Sequence, residues 1–246
     1  MEELTIGQQK AMQERQKYLG DPLKTPSYFQ PGTLESLSKE TQSTETGERI
    51  FQIYKPVAES ISSQIKSFNE LRENNLIDSL KTDDLARVEA YEESRNLYNS
   101  AQKKCSEAED KLLEIQKSLK KSIADKLSEA ADRSSQPEAI QQHVKEMKDK
   151  SERMQFLRQR IKAGDLETVS VILARQPYLS GLDESDIQHL KEQAGKHLFV
   201  EESAGISLAE KLQKDVGSAF LSLQEKLEKY ETPEIQRAIR FRDRRN

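Results

Sequence analysis

The chain has 246 residues, of which 34% are hydrophobic and 33% are charged, and it contains no tryptophan. Globular domains are usually about 45–50% apolar and about 25% charged, so this composition argues against one large rounded core. Nine glycines and seven prolines leave few turns, which favours long helices. The balanced charge, 39 basic against 43 acidic residues, separates the chain from strongly charged disordered proteins.

The chain ends and the cysteine content limit the cellular setting. Met1-Glu2-Glu3-Leu4 has neither the basic region nor the apolar stretch of a secretory signal, so we expect no such signal. No run approaches the roughly 18 apolar residues that cross a membrane. The single cysteine, Cys105, excludes an internal disulfide and fits a reducing compartment. A protein that is intracellular when made is the expectation.

Residues 1–47 predict a short helix followed by an extended arm. The helix over 5–19 begins with a capping box and ends at Gly20. Prolines, glycines, serines and threonines over 20–47 are typical of extended chain. Two interpretations stay open for this arm. It is a flexible linker, or it lies on its own or a neighbouring surface through apolar residues that include Tyr28 and Phe29.

Residues 48–133 predict a coiled-coil helical hairpin. Apolar residues at helical spacing cover 48–80, where Pro56 predicts a kink or a first turn. The longest helix covers 83–133, and its apolar positions step by three and four residues in a strict heptad seam: Tyr98, Ala101, Cys105, Ala108, Leu112, Ile115 and Leu119. A helix of about 50 residues spans roughly 75 Å and needs a partner helix. Tyr98, Leu112, Ile115 and Leu119 are therefore candidate contacts with a partner chain.

After Leu119 the apolar spacing relaxes to 11 residues, and the same spacing recurs over 208–230. This shared period predicts that the two segments pack together. The seam from Tyr98 to Leu119 would then remain for a partner.

Residues 137–246 predict a small C-terminal helical bundle. Helices are expected over about 137–163, from Asp165, over 184–200, from Ser207 and from Pro233, around an apolar cluster at 166–182. The predicted fold is thus all-α: an elongated helical hairpin, a small helical bundle and an extended N-terminal arm.

The sequence offers little for catalysis. None of the three histidines has the spacing of a zinc site, and no glycine-rich phosphate-binding motif occurs. Cys105 lies on the heptad seam, where a small apolar residue needs no further role. We therefore predict no catalytic residue, no cofactor and no metal, and a protein that is not an enzyme.

The C-terminus is rich in arginine, at Arg237, Arg240, Arg242, Arg244 and Arg245. Arginine near a helix C-terminus suits the helix dipole, and that interpretation stays open. The alternative is contact with phosphate or with an acidic patch on a partner protein, of which the protein contact is favoured.

One stretch carries a resemblance. Ala163-Gly164-Asp165-Leu166, followed by Ala174-Arg175-Gln176-Pro177-Tyr178-Leu179-Ser180-Gly181-Leu182, resembles a segment of helical proteins encoded by tailed phages and prophages. The resemblance covers about twenty residues and includes no catalytic motif. It implies a structural protein of a virion, found there or in the host cytoplasm, that oligomerises or braces neighbouring subunits. The alternative is a cellular coiled-coil adaptor, or a nucleic-acid-associated protein that uses the arginine-rich tail.

Overall fold

A computed structural model describes residues 6–78, 81–174 and 180–243. Within these ranges the chain is helical and has no strand, which confirms the predicted all-α class. None of the described helices combines the length and the apolar character that crossing a membrane requires. The helices are α1 Ile6–Leu19, α2 Pro31–Thr41, α3 Glu45–Ile77, α4 Asp83–Asp132, α5 Pro137–Glu146, α6 Lys150–Lys162, α7 Leu166–Ala174, α8 Glu184–Leu198, α9 Val200–Leu227 and α10 Pro233–Asp243.

The chain forms two compact units. The first unit contains residues 1–43, 51–111 and 212–246, and the second contains residues 44–50 and 112–211. These units do not coincide with the predicted segments 1–47, 48–133 and 137–246. Helices α3, α4 and α9 each contribute residues to both units, so neither unit is one continuous stretch of sequence.

The N-terminal segment differs from the predicted extended arm. Residues 31–41 form helix α2, and a short 3-10 turn covers Ser27–Phe29. Pro31 lies in the first turn of α2, where its missing N–H leaves no hydrogen bond unmade. The Ser- and Thr-rich composition of this segment is typical of a loop, so the sequence does not predict the helix.

This segment also packs on its own unit. The side chains of Leu23, Phe29 and Leu37 are buried. Asn69 of α3 bonds both backbone groups of Leu23, accepting from the N–H at 2.8 Å and donating to the carbonyl at 2.9 Å. The hydroxyl of Ser62 donates to the Phe29 carbonyl at 3.1 Å. The structure therefore agrees with a docked segment and not with a flexible linker.

A buried arginine of α3 closes the end of α1. Gly20, with φ +65°, ends α1 as predicted. Arg72 donates from Nε to the carbonyls of Leu19 at 3.2 Å and of Gly20 at 2.9 Å. Its side chain is 2% exposed. A helix end leaves carbonyls without partners, and this guanidinium supplies donors for two of them.

A buried arginine of α1 does the same for the end of α3. Arg15 donates to the carbonyls of Asn75 at 3.0 Å, Asp78 at 2.5 Å and Lys81 at 2.5 Å. Its Nε also donates to the carboxylate of Asp83 at 3.0 Å. Each of the two helices thus contributes an arginine that donates to backbone carbonyls at the C-terminal end of the other.

Two helix boundaries differ from the predictions, and the structure decides between the two positions left open for Pro56. Pro56 lies inside α3, eleven residues after its first residue, and is not in its first turn. The helix expected over 137–163 divides into α5 and α6, because Met147 is extended and Asp149 caps α6 by accepting from Glu152 N at 2.9 Å. Helix α9 begins at Val200, seven residues before the expected Ser207.

The second unit is built on an apolar cluster. Its buried members come from α4 through the residue after α8: Leu127, Val144, Met154, Leu157, Ile161, Val169, Ile172, Leu173, Leu182, Ile187, Leu190, Ala194 and Phe199. Asp183 caps α8 in a reciprocal capping box with Asp186, which confirms Asp183 as the predicted cap. The described part of the predicted cluster at 166–182 supplies four of these members.

Candidate functional site: two surfaces of the first unit

The heptad seam is largely covered within the chain. Leu112 and Ile115 are 0% and 6% exposed, so their prediction as contacts with a partner chain is wrong. Helix α4 has partner helices of its own chain. In the first unit, Gln64 of α3 donates to Ser100 of α4 at 2.8 Å. The prediction failed because sequence periodicity shows that a stripe is buried but not which helix covers it.

The remaining seam candidates, Tyr98 and Leu119, are half-buried. The Leu119 Cδ1 atom would lie 2.9 Å from a Cβ added at Gly205 of α9, so α4 and α9 approach closely in the second unit. Tyr98 packs in the first unit against Phe220 of α9, with 5.5 Å between ring centroids. Both residues contact the same chain.

The predicted pairing of 119–130 with 208–230 is seen at the Lys120–Glu210 ion pair. In the second unit, Lys126 pairs with Glu202 and Lys120 pairs with Glu210 at 3.4 Å. In the first unit, the later part of α9 lies along 98–109, where Tyr98 meets Phe220. The two segments with an 11-residue spacing are therefore offset along the helices. The ion pair between Lys120 and Glu210 lies where they overlap.

The first surface is a groove between α4 and the end of α9, which we call the tyrosine groove. Its volume is about 130 Å³, the size of one or a few side-chain groups. It combines two half-buried tyrosine rings with one guanidinium and two carboxylates. The lining residues are Tyr91, Ser94, Arg95, Tyr98, Gln224, Leu227, Glu228 and Glu231.

Hydrogen bonds from neighbouring amides orient the two carboxylates of the tyrosine groove. Gln224 donates to Glu228 at 2.8 Å, and Gln236 donates to Glu231 at 3.4 Å. Among the described residues Arg95 is the one lining cation, so the described lining carries an excess of one negative charge. Tyr98 was the only groove residue among the predicted partner contacts. The other groove residues were not predicted, because the sequence does not show that α9 packs against α4.

The second surface is a larger cavity, which we call the lysine pocket. Its volume is about 430 Å³, and residues on either side of the end of α1 and of the end of α9 form it together. Four of its lining side chains are lysines. The sequence does not reveal this cluster, because two of the lysines lie about two hundred positions along the chain from the other two. The lining residues are Lys17, Gly20, Asp21, Pro22, Leu23, Lys24, Lys226, Lys229 and Tyr230.

Tyr230 fixes the floor of the lysine pocket. Its hydroxyl donates to the Leu19 carbonyl at 2.9 Å, and its ring packs edge-on to Phe68 with 5.1 Å between centroids. Burial raises the pKa of Tyr230 above its ordinary value, Arg72 opposes this shift, and Asp21 adds to it. The phenol therefore stays protonated at neutral pH and remains a donor to α1.

Cys105 belongs to the interior of the first unit. Its side chain is buried, and burial together with the neighbouring Glu109 raises the pKa of the thiol to about 12. Burial also raises the pKa of Tyr54, whose hydroxyl donates to the Tyr28 carbonyl at 2.8 Å. At neutral pH these groups are protonated and act as packing and hydrogen-bonding residues.

The candidates of the N-terminal segment divide. Phe29 is 1% exposed and packs edge-on to Tyr54 with 5.8 Å between ring centroids, so its prediction as a partner contact is wrong. The sequence predicts that Tyr28 and Phe29 both contact a partner. The 3-10 turn that contains them directs the Phe29 ring inward instead. Tyr28 remains at the surface, with 38% of its side chain exposed.

The arginine-rich tail forms α10 as predicted, from Pro233 to Asp243. Arg237 and Arg240 are exposed. Arg242 belongs to α10, but its side chain lies outside the described part of the chain. Arg244 and Arg245 lie outside the described residues. Glu234 in the first turn has a lowered pKa, through backbone and Thr232 hydrogen bonds and then the nearby Arg237 and Arg87.

Over residues 6–78, 81–174 and 180–243, no three or more His, Cys, Asp or Glu side chains are grouped as a metal ion would require. The candidate sites are thus the tyrosine groove and the lysine pocket, and both are defined by this chain's own geometry. Comparisons with protein-family models, with curated proteins and with solved structures found no match to this chain.

Proposed function

We propose that the protein is a structural assembly subunit that associates with further copies of itself through the tyrosine groove. The observation that carries the proposal is the composition of this groove, with Tyr91, Tyr98 and Arg95 around one cavity. Tyrosine and arginine dominate the binding energy of protein interfaces, especially where they line a pocket that a partner side chain fills.

Charge complementarity identifies the occupant as the arginine-rich helix α10 of a second copy. The groove carries Glu228 and Glu231 against Arg95, and Arg237 and Arg240 of α10 are exposed. A guanidinium matches a carboxylate through two parallel hydrogen bonds and also stacks on tyrosine. An arginine from another copy would thus find both kinds of partner in one groove.

The setting we propose is a tailed-phage-like particle. The support is the resemblance of residues 163–182 to helical proteins of tailed phages and prophages, of which 175–179 lie outside the described residues. A subunit that adds copies through a groove and a tail suits the repeated contacts of such a particle.

Light scattering on the purified full chain over the micromolar range tests self-association. We expect oligomers for the natural chain, and monomers for Tyr91→Ala because it removes an aromatic wall of the groove. Tyr28→Ala is the matched control, since it removes an exposed tyrosine elsewhere in the first unit and should leave the oligomers intact.

A charge exchange sharpens this test. Glu228→Arg with Glu231→Arg should give monomers, because the groove then repels α10. Adding Arg237→Glu and Arg240→Glu should restore oligomers. A natural chain that stays monomeric throughout, or oligomers lost in Tyr28→Ala but kept in Tyr91→Ala, would refute the proposal.

A second candidate function, binding of nucleic acid by the tail, is favoured by the exposure of Arg237 and Arg240. Such binding would weaken steeply with salt, because each phosphate contact releases counterions. Titration of labelled DNA at two salt concentrations measures it. Binding that survives removal of residues 233–246 would reject this role for the tail.

A further inference from the structure

We propose that the lysine pocket binds a small polyphosphate anion, that is, two or three linked phosphate groups. Lys17 and Lys24 flank the turn that ends α1, and Lys226 and Lys229 come from the end of α9. The chain as a whole carries a formal charge of −4. Four ammonium groups around one cavity in an acidic protein form a local site for multiply charged anions.

These lysines have little internal compensation. Within the described part of the chain, Asp21 is the one carboxylate that lines the pocket. No ion pair within 4.0 Å joins any of the four lysines to a carboxylate among the described residues. Elsewhere in the same unit, Lys55 and Lys66 each pair with a glutamate four residues later, at 3.7 and 3.8 Å. The pocket therefore has an excess of positive charge that a ligand can neutralise.

The floor of the pocket is held in place from below. Arg72 donates to the Gly20 carbonyl at 2.9 Å, and Tyr230 donates to the Leu19 carbonyl at 2.9 Å. The guanidinium of Arg72 lies beneath this turn and adds to the positive potential. A ligand would thus meet a floor already ordered in the free protein, which lowers the entropy cost of binding.

The lining residues favour phosphate groups over other ligands. A volume of about 430 Å³ suits a small molecule. Tyr230 is 5% exposed and its ring packs on Phe68, so the lining offers no open aromatic face on which a base could stack. Lysine ammonium groups act as compact point charges toward phosphate, so linked phosphates that span several of them gain most.

Calorimetric titration of the full chain with inorganic triphosphate tests the proposal. Lys226→Gln with Lys229→Gln should weaken binding by about tenfold or more, because two ion contacts are lost. The matched control, Lys55→Gln with Lys66→Gln, changes the net charge equally within the same unit and should leave affinity within about twofold. Urea denaturation of both double variants checks that they remain folded.

Competition identifies the source of the phosphate chain. Adenosine triphosphate should displace inorganic triphosphate with similar affinity, whereas single phosphate and sulfate should bind at least about tenfold more weakly. No heat with triphosphate, equal weakening in the control variant, or much tighter binding of adenosine triphosphate or of single-stranded DNA would each overturn the proposal.

Discussion

The two units of this chain are stabilised in different ways. The first unit has an apolar core in which Tyr54, Ile61 and Phe68 are fully buried, and it adds buried polar groups that join distant parts of the sequence. Arg15 reaches residues 60 to 68 positions away, and Arg72 reaches 52 and 53 positions back. The second unit depends on a broad apolar cluster, and its polar caps, such as Asp149 and Asp183, accept from N–H groups only three residues away.

This difference predicts different sensitivities. A polar group that satisfies several backbone carbonyls has no substitute, because removing it leaves acceptors buried without donors. An apolar cluster distributes its stability over many contacts, so each truncation costs the energy of one cavity. The first unit should therefore contain the single most damaging positions, and each apolar truncation, in either unit, should cost less.

The largest effect is expected for Arg15→Met, which keeps the apolar stem and removes the guanidinium. The carbonyls of Asn75, Asp78 and Lys81 would each lose a donor, although the Asp78 carbonyl keeps the Lys81 N–H at 3.4 Å. We expect the free energy of unfolding to fall by about 4 kcal/mol, since each lost bond to a charged donor costs about 1.5–3 kcal/mol and relaxation recovers part of it. Urea denaturation measures this loss.

An exposed arginine provides the control for Arg15→Met. Arg158 of α6 is exposed, and Arg158→Met should change the free energy of unfolding by about 0.5 kcal/mol or less, as surface substitutions usually do. Hydrogen exchange should locate the Arg15 effect at the end of α1 and in the turn between α3 and α4. Equal effects of the two substitutions would show that the buried guanidinium does not stabilise the first unit.

The next effect tests the second unit. Leu190 of α8 is fully buried in its apolar cluster. Leu190→Ala should lower the free energy of unfolding by about 3 kcal/mol through lost burial and the cavity that remains. Hydrogen exchange should accelerate in α6, α7 and α8. A loss below about 1 kcal/mol would mean that the cluster is loosely packed.

The second unit was also the easier one to predict. Its apolar residues repeat at helical spacing, and caps such as Asp183 and stops such as Gly164 lie beside them in the sequence. The first unit was harder because its buried polar groups include Arg15 and Arg72, and sequence reasoning assigns arginine to the surface. Helix α2 was missed for a related reason: its serines and threonines are typical of loops, and tertiary packing of Leu37 overrides that preference.

The candidate surfaces were predictable only in part. Tyr98 was recognised from the heptad spacing, but that spacing could not reveal that Leu112 is buried within the same chain and that a groove remains beside Tyr98. The lysine pocket left no local signal, because Lys24 and Lys226 become neighbours only through the fold. Short-range patterns report burial, whereas a site requires knowledge of which segments meet.

Glycines of α9 allow the two units to be compared on one helix. A Cβ at Gly205, in the second unit, would lie 2.7 Å from Thr46 Cγ2 and 2.9 Å from Leu119 Cδ1. A Cβ at Gly217, in the first unit, would lie 3.1 Å from Glu109 Oε1, the mobile end of a long side chain. The first crowding involves a stiff β-branched residue, and the second can be relieved by rotation.

We therefore expect opposite signs for the same substitution. Gly205→Ala should destabilise the protein by about 1.5 kcal/mol, because overpacking outweighs the better helix propensity of alanine. Gly217→Ala should stabilise it by about 0.5 kcal/mol. Thermal or urea unfolding of the two variants decides the matter, and stabilisation by Gly205→Ala would show that α3, α4 and α9 are less tightly packed there.

A further effect concerns the alkaline side of the pH profile and the interior of the first unit. The pKa of the Cys105 thiol is about 12 in the folded chain, against an ordinary value of 9.0, chiefly because burial disfavours the thiolate. A group whose pKa is raised by folding stabilises the protein fully below its unfolded pKa, and this contribution is lost as pH rises toward the folded value.

Between pH 9 and pH 10 we expect a loss of about 1 kcal/mol in the free energy of unfolding that Cys105→Ala does not show. Urea denaturation of both chains across this range isolates the thiol, because Tyr54, whose pKa is also raised, contributes to both. Parallel pH profiles for the two chains would mean that the thiol is as accessible to water as in the unfolded protein, and that the first unit is not closed around Cys105.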